Sequence, residues 1–332
     1  MSASFSVLIP ARNAAATLDR CLQAVHRSLL LPAEVLVIDD ASTDPTSEIA
    51  KRYLAKILHV NLRAGPMPPR LAGALYAQEE ILVFIDADVC VRPDTFQKVL
   101  RHFSDPGIRA VTGLLSANPG PQNFFSAFKN EYMHWIFHRQ PEEPRFLYGS
   151  LFAVRKTDLK DFRPSRIPFG NLVSDTELAL YLHARDATIR FDRTLEVDHL
   201  KTYDGIGLLK NDFVIPFSFA FLAWAYRDLR RMTKEFSFSH VRPRQLTSLL
   251  FQAAAWLSLT APENPAWFLF PAFQIAYFLC WAPWLTDIGK RRGLRFTLAC
   301  AFFLPLDSLC MLAGILTGSL AFGVSKLQGA SA

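Results

Sequence analysis

The sequence of 332 residues predicts an α/β domain built on a doubly wound sheet, followed by apolar helices that meet a membrane. Short β-rich segments alternate with helical segments in the N-terminal part, which is typical of a parallel sheet covered on both faces. Polar or acidic motifs directly follow three of the predicted strands. Apolar residues, 51% of the sequence, are concentrated after about Phe213. The chain therefore consists of two regions of different composition.

Four short segments rich in apolar residues predict strands, and the helical spacing of apolar residues between them predicts helices. The strands are expected at Phe5–Pro10, Glu34–Asp40, Ile57–Val60 and Ile81–Ile85. The helices are expected at Thr17–Leu30, from Ser42 to Tyr53, and at Arg70–Gln78.

The polar motifs after these strands are expected to share one crevice, because ligands of such sheets bind outside the carboxyl ends of the strands. The motifs are Pro10-Ala11-Arg12-Asn13, Asp39-Asp40 and Asp86-Ala87-Asp88. Asp86 and Asp88, on alternate residues of an extended segment, point to the same side. Because two carboxylates held there repel each other, a divalent cation bridging a diphosphate is the expected partner. The alternative is an acidic pair that caps the next helix.

Four motifs follow one another in the order known from one enzyme family. They are Val7–Asn13, Val35–Asp44, Phe84–Asp88 and Ser174–Leu178. On these motifs, residues 5 to 205 resemble the inverting glycosyltransferases of family 2. The resemblance implies the GT-A fold, a doubly wound mixed sheet that binds a nucleotide-diphosphate sugar. It also implies Mg²⁺ or Mn²⁺ as the cofactor.

The resemblance implies a set of donor-binding residues at the strand ends. They are Pro10, Ala11, Asn13, Asp39, Asp40, Arg70, Asp86, Ala87 and Asp88. Leu71 stands where the family often has Asn, so only Arg70 carries over from that motif, and a surface helix residue is its alternative. The resemblance implies Asp88, Asp86 and His199 as metal ligands. A structural histidine is the alternative for His199.

The same resemblance implies that Asp175 is the general base. A simple acidic cap of the helix that starts here is the alternative. Gly149, Ser150 and Glu177 are implied on the acceptor side, although Tyr148-Gly149-Ser150 also fits a tight turn before a strand. Ser174 departs from the Glu that commonly precedes the base.

The apolar C-terminal third predicts membrane helices. A span needs about 20 apolar residues. Leu246–Ala261 is short for a span, Trp267–Leu285 is adequate, and Phe296–Phe322 is long, with Pro305 and Asp307 near its middle. The proline is expected to break the helix, and the costly carboxylate to face protein, water or a headgroup. Phe213–Tyr226, followed by basic residues, predicts a helix lying in the membrane surface.

These observations divide the chain into a catalytic domain at 1–205, interfacial helices at 206–245 and two to three transmembrane helices at 246–325. The basic stretch 227–244 and the loop Gly289–Gly293 accompany a net charge of +6. Because these basic residues lie beside apolar segments, they indicate contact with the cytoplasmic face of a membrane rather than binding to nucleic acid. The catalytic part is therefore expected in the cytoplasm of a multi-pass cell-membrane protein, and no leader sequence is expected at the N-terminus. The five cysteines lack zinc-ligand spacing.

The function expected from the sequence is transfer of one sugar to a membrane-associated, lipid-linked acceptor such as a polyprenyl phosphate or a glycolipid. The Gln-x-x-Arg-Trp motif of processive synthases is missing, which argues against a processive polysaccharide synthase. A non-catalytic nucleotide-sugar-binding membrane protein is disfavoured because Asp86, Asp88 and Asp175 are all retained. A dehydrogenase is disfavoured because no G-x-G-x-x-G follows the first strand.

Overall fold

The computed structural model describes residues 4–63, 65–117, 120, 122–168, 170–226, 243–260 and 265–327. The chain divides into two compact units, Met1–Thr202 and Tyr203–Ala332, here called the N-terminal and C-terminal units. Residues 227–242 of the predicted basic stretch 227–244 lie outside the described residues.

The N-terminal unit alternates strands and helices, as the sequence predicts. Its strands are β1 (Phe5–Ala11), β2 (Glu34–Asp40), β3 (Lys56–Val60), β4 (Ile81–Ile85), β5 (Val89–Cys90), β6 (Ile108–Leu115), β7 (Leu151–Arg155) and β8 (Thr188–His199). Its α-helices are α1 (Leu18–His26), α2 (Thr46–Arg52), α3 (Met67–Tyr76), α4 (Thr95–Phe103), α5 (Phe124–His138) and α6 (Ser174–His183). The first four strands lie within about two residues of their predicted bounds.

The eight strands form a mixed sheet in the order β3-β2-β1-β4-β7-β6-β8-β5. The pairs β1–β2, β1–β4, β2–β3 and β6–β8 are parallel. Strand β7 runs antiparallel to both β4 and β6, and β5 runs antiparallel to β8. The mixed sheet implied by the resemblance is therefore confirmed, and the parallel arrangement indicated by the strand–helix alternation is confirmed for β1 to β4. The alternation covers only β1 to β4, before the chain enters β7 in the reverse direction.

The strand register brings the polar motifs to one edge of the sheet. Ala11 at the end of β1 pairs with Asp39 at the end of β2. Ile85 at the end of β4 pairs with Leu151 at the start of β7, so the Asp86 and Ser150 positions are neighbours. Val89 pairs with His199, which brings the end of β8 beside Asp88.

The central strands are rigid because side chains on both of their faces are buried. Val7 and Ile9 of β1 belong to one apolar cluster, and Leu8 belongs to a second cluster on the opposite face; all three are fully buried. Full burial of one such side chain contributes about 1.5–3 kcal/mol. A rigid centre holds the ends of β1, β2 and β4 in fixed relative positions.

The described part of the C-terminal unit is helical. Its α-helices are α7 (Gly205–Ala225), α8 (Pro243–Ser258), α9 (Phe270–Arg292) and α10 (Leu294–Leu327). Among the described residues, three helical segments are long and apolar enough to cross a membrane: Gly205–Ala225, Ala266–Arg292 and Leu294–Leu327.

These helices differ in detail from the predicted segments. The helix predicted at Phe213–Tyr226 begins earlier, at Gly205, and its placement in the membrane surface stays a prediction. The short predicted span Leu246–Ala261 falls on α8, which is not among the three long apolar segments. The break expected at Pro305 is wrong, because α10 continues through this residue.

Two glycines of α10 allow close packing against α7. A Cβ atom on Gly314 would lie 2.3 Å from the carbonyl oxygen of Phe213, and one on Gly318 would lie 2.3 Å from that of Phe217. Small residues four apart are the usual means by which apolar helices approach closely. Trp224 Nε1 also donates a hydrogen bond to Ser319 Oγ at 3.0 Å. Backbone contact at the two glycines therefore determines how α7 and α10 pack.

Candidate active site

Hydrogen bonds connect the loop after β1 to the loop after β2. Asn13 donates its backbone N–H to Ser42 Oγ at 3.0 Å, and its Oδ1 accepts the Thr43 N–H at 2.8 Å. Asn13 and Ala41 adopt left-handed backbone conformations, with φ of 49° and 55°. These conformations turn both loops sharply at the edge of the sheet, beyond Ala11, whose side chain is buried.

The two carboxylates at the end of β2 are buried and shape neighbouring loops. Asp39 accepts the Ser42 N–H at 2.9 Å. Burial opposes ionisation, but hydrogen bonds from Ser42 and Ser47 hold the pKa of Asp39 below its usual value. Asp40 accepts the N–H groups of Leu62 at 2.6 Å and Arg63 at 3.0 Å. The predicted donor-binding residues Asp39 and Asp40 therefore fix the loops that follow β2 and β3.

Arg70 lies inside the site. Its side chain is 2% exposed, which excludes the surface helix residue that the sequence left open. Arg70 Nη2 lies 2.5 Å from Asp86 Oδ1 and donates to the Gly149 carbonyl at 2.8 Å. The guanidinium carbon lies 5.4 Å from the centre of the Phe152 ring. Burial raises the pKa of Asp86, and the charge of Arg70 opposes this rise.

Asp88 faces His199, as the pairing of β5 with β8 requires. Asp88 Oδ2 lies 3.5 Å from His199 Nε2. Burial opposes ionisation, but His199 holds the pKa of Asp88 below its usual value. Ala87, between the two acids, turns its side chain into the core.

The donor atoms at Asp88 and His199 fit one side of a divalent cation. Two ligands at about 2.1 Å from an octahedral cation lie about 3 Å apart, slightly less than the spacing between these two atoms. Within the described ranges, no group of three or more His, Cys, Asp or Glu residues is arranged as a complete metal site. Asp86, the third predicted ligand, is instead in contact with Arg70. A bound cation would therefore take its other ligands from a substrate or from water.

Asp175 lies in the first turn of α6 and reaches across to the turn before β7. Its Oδ2 accepts the Gly149 N–H at 2.8 Å, and its Oδ1 accepts the Thr176 N–H at 2.8 Å. Burial raises the pKa of Asp175 to about 6, with Arg70 and the two N–H donors opposing the rise. A carboxyl group with a pKa near neutrality is suited to accept and release protons.

The remaining predicted residues surround this carboxylate or stabilise its helix. Gly149 and Ser150 form the turn that enters β7. Glu177 is 1% exposed, and it accepts hydrogen bonds from Ser165 Oγ at 2.6 Å and Asn171 Nδ2 at 2.7 Å. These contacts tie the segment before α6 to the helix. The acceptor-side role of Glu177 stays a prediction.

Polar residues that the sequence analysis did not identify lie at the ends of β6 and β8, on the same sheet edge. Arg92 Nη2 lies 2.6 Å from Glu196 Oε2 and 3.1 Å from Ser116 Oγ. Asn130 Nδ2 donates to the Ser116 carbonyl at 2.7 Å. These residues come together through the pairing of β6 with β8, so no short motif could reveal them.

The mixed sheet, with Asp39, Asp40, Asp86 and Asp88 at the ends of its strands, defines a GT-A-type α/β domain. Residues 6–162 match the model of glycosyl transferase family 2. These residues therefore form a family 2 glycosyltransferase domain, and the resemblance is confirmed for the three motifs that lie within them.

Curated relatives match the N-terminal part of the chain. A 4,4'-diaponeurosporenoate glycosyltransferase of Staphylococcus haemolyticus is 32% identical over 123 residues, which are 35% of this chain and 32% of the relative. A validoxylamine A glucosyltransferase of Streptomyces hygroscopicus subsp. jinggangensis is 33% identical over 129 residues, which are 35% and 31% of the two chains. The chain thus spans about a third of the length of these relatives.

Solved structures share the fold at low sequence identity. A mannosyltransferase from Pyrobaculum calidifontis, in complex with GDP-Man and Mn²⁺, has a TM-score of 0.54 and 17% identity, covering 97% of this chain and 86% of its own. Glucosyl-3-phosphoglycerate synthase from Mycobacterium tuberculosis, in complex with Mn²⁺, UDP-Glc and phosphoglyceric acid, has a TM-score of 0.50 and 19% identity, covering 67% and 79%. At these identities, the likeness concerns the fold alone.

Proposed function

We propose that this chain is an inverting glycosyltransferase that moves one sugar from a nucleotide-diphosphate sugar to a lipid-linked acceptor at the membrane. The observation that carries the proposal is the position of Asp175. This carboxylate is joined to the Arg70–Asp86 pair through the backbone N–H and the backbone carbonyl of Gly149. The proposed base and the proposed diphosphate-binding residues are thereby linked through one residue.

The donor would lie across the ends of β1, β2 and β4. Pro10, Ala11, Asn13, Asp39 and Asp40 would contact the nucleobase and ribose, as the family resemblance implies. The joined loops and the buried carboxylates support this role, because they form a fixed wall at the carboxyl ends of the strands. The two structural neighbours hold nucleotide sugars, which agrees with such a donor.

Asp88 and His199 would hold Mg²⁺ or Mn²⁺, with Asp86 nearby. When bound, the cation would neutralise the diphosphate as negative charge develops on it. The neighbouring enzymes contain Mn²⁺, and the Asp88–His199 pair offers oxygen and nitrogen ligands that suit it.

Asp175 would act as the general base. An acceptor oxygen attacks the anomeric carbon, its proton passes to Asp175, and a new C–O bond forms. The bond from the anomeric carbon to the diphosphate oxygen breaks, and its electron pair leaves with the nucleoside diphosphate. Because attack occurs opposite the leaving group in one displacement, the anomeric configuration inverts.

The C-terminal unit supports a membrane-associated acceptor. Three helical segments of the described chain can cross a bilayer by length and composition. The last turn of α9 carries Lys290, Arg291 and Arg292, which favours a cytoplasmic position for this end under the positive-inside rule. We therefore place the enzyme in the cell membrane as a multi-pass protein, with its catalytic domain on the cytoplasmic side.

A donor screen tests the proposed function. The purified full chain is incubated with Mn²⁺, membrane lipid extract and each nucleotide sugar, and nucleoside diphosphate release is followed. We expect release to rise at least tenfold with one donor when lipid extract is added. Full-rate transfer to water-soluble acceptors, with no response to lipid extract, would overturn the lipid assignment.

Replacing Asp88 by Ala should weaken donor binding by at least tenfold in Mn²⁺, because the cation loses its carboxylate ligand. In the presence of a chelator, the variant and the parent protein should bind the donor with the same low affinity. Isothermal titration calorimetry with the donor found in the screen measures both. Equal affinities in Mn²⁺ would contradict a metal site at Asp88.

A further inference from the structure

The backbone of Gly149 lies between two acidic residues of the site. Its N–H donates to Asp175 Oδ2 at 2.8 Å, and its carbonyl accepts from Arg70 Nη2 at 2.8 Å. The same Nη2 lies 2.5 Å from Asp86 Oδ1. A continuous chain of contacts therefore runs from the acid that ends β4 to the carboxylate at the start of α6.

Arg70 is held in this place by the packing of α3. A Cβ atom on Gly73, one turn further along the helix, would lie 2.7 Å from Ile38 Cδ1 and 3.1 Å from Leu8 Cδ2. The glycine thus lets α3 approach the sheet closely enough for the guanidinium to reach under Gly149. Contact with the Phe152 ring restrains the other side of the guanidinium.

We propose that Arg70 and the Gly149 backbone are positioning elements that fix the orientation and charge state of Asp175. The proposal rests on the role of Asp175 given above and adds a second task to Arg70, which the sequence assigned to donor contact. Arg70 supplies a positive charge near the base, and Gly149 supplies a directed N–H. Both act through Asp175 rather than on the reacting atoms.

The charged groups around Asp175 support the role of Arg70 as the positive charge near the base. Arg70 from α3 favours the ionised carboxylate, and Asp86 from the end of β4 opposes it. Glu177, on the same helix, is bound to Ser165 and Asn171. Arg70 therefore provides the positive charge that offsets burial of the base.

Gly149 leaves little room beside the base. A Cβ atom there would lie 2.9 Å from Asp175 Oδ2 and 3.5 Å from Arg70 Nη2. Gly149→Ala should therefore displace the Asp175 carboxylate, whereas its contact with Arg70 would be an ordinary van der Waals contact. Gly107 is a matched control, because its N–H also donates to a carboxylate, Asp105 Oδ1 at 2.8 Å, in an exposed turn outside the site.

The first test measures the protonation of Asp175 without donor or metal. Infrared titration of the full chain follows the carboxylic acid band that is lost in Asp175→Asn. Arg70→Met should raise the pH of half-titration by at least one unit, a tenfold gain in proton affinity, and Arg70→Lys should raise it less. Arg109→Met is the control, because Arg109 forms a paired contact of 2.8 Å with Asp158 away from the site.

The second test separates positioning from donor binding, using the donor identified by the screen. Gly149→Ala should lower kcat at least tenfold, with the donor Kd within twofold and with Gly107→Ala unchanged. If Arg70→Met fails to fold, the kcat of Gly149→Ala still tests the proposal.

The proposal is overturned if a folded Arg70→Met variant keeps the parent half-titration pH. It is also overturned if Gly149→Ala keeps the parent kcat, or if it weakens donor binding in proportion to the loss of rate. The infrared result does not require glycosyl transfer. A shifted titration without transfer by the parent chain would therefore reject the proposed function alone.

Discussion

Replacing Asp175 by Asn is expected to lower glycosyl transfer by about 10²–10⁴-fold, the range that a general base contributes. The amide cannot take the acceptor proton, yet it keeps the size of the side chain and an oxygen that can accept the Gly149 N–H. Donor affinity in Mn²⁺ should therefore stay within about twofold of the parent value. Initial rates and calorimetric donor binding, measured on the same preparations, check both expectations.

Asp186→Asn is the matched control, because this exposed aspartate follows the other end of α6. It should leave the rate of transfer unchanged. Unchanged turnover in Asp175→Asn would remove the base assignment, and a parallel loss of donor binding would make Asp175 a donor-binding residue instead.

The same substitution should change the pH dependence of stability. The pKa of Asp175 is raised to about 6 in the folded chain, from an ordinary value of 3.8. Folding therefore favours the protonated form of Asp175. The contribution of this protonated carboxyl group to folding stability is fully present below about pH 4, and it is lost as the pH rises through about 6. Above that pH the ionised carboxylate costs up to about 3 kcal/mol. Asp175→Asn should raise the melting temperature relative to the parent at pH 7.5, and this advantage should vanish at pH 4.

Replacing Gly314 by Ala is expected to destabilise the C-terminal unit by about 1–3 kcal/mol, the cost of overpacking a close contact. The new methyl would lie 2.3 Å from the Phe213 carbonyl oxygen, so α7 and α10 must separate. Helix propensity alone would favour Ala by about 1 kcal/mol, so a loss of stability reports packing.

Gly323→Ala supplies the control on the same helix, because nothing lies within 4 Å of its Cβ position. This variant should be as stable as the parent or slightly more stable. Thermal unfolding of the full chain in detergent compares the two variants. Equal melting temperatures for Gly314→Ala and Gly323→Ala would contradict the backbone contact between the helices.

The sequence predicted those parts of the fold that depend on local pattern. The strands that end near Pro10, Asp40 and Ile85 were found because each is a short apolar run followed by polar residues, and this pattern requires no knowledge of distant partners. The helix that begins at Ser174 is also predicted from a local pattern, because apolar residues follow the acidic motif at Asp175.

Features that depend on distant contacts escaped the sequence analysis. The antiparallel course of β7 depends on its pairing with both β4 and β6, which no local pattern encodes. The buried position of Arg70 depends on Gly149 and Asp86, far away in sequence. The helix continues through Pro305 although the residue itself predicts a break, which shows that tertiary packing can override a local preference.

The stereochemistry of the transferred sugar tests the central claim most directly. The full chain in lipid bilayers is given its donor, Mn²⁺ and membrane lipid extract, and the anomeric configuration of the lipid-linked product is determined by NMR. A single displacement assisted by Asp175 predicts a configuration opposite to that of the donor. Retention of the donor configuration, or release of nucleoside diphosphate with no sugar in the lipid fraction, would contradict it.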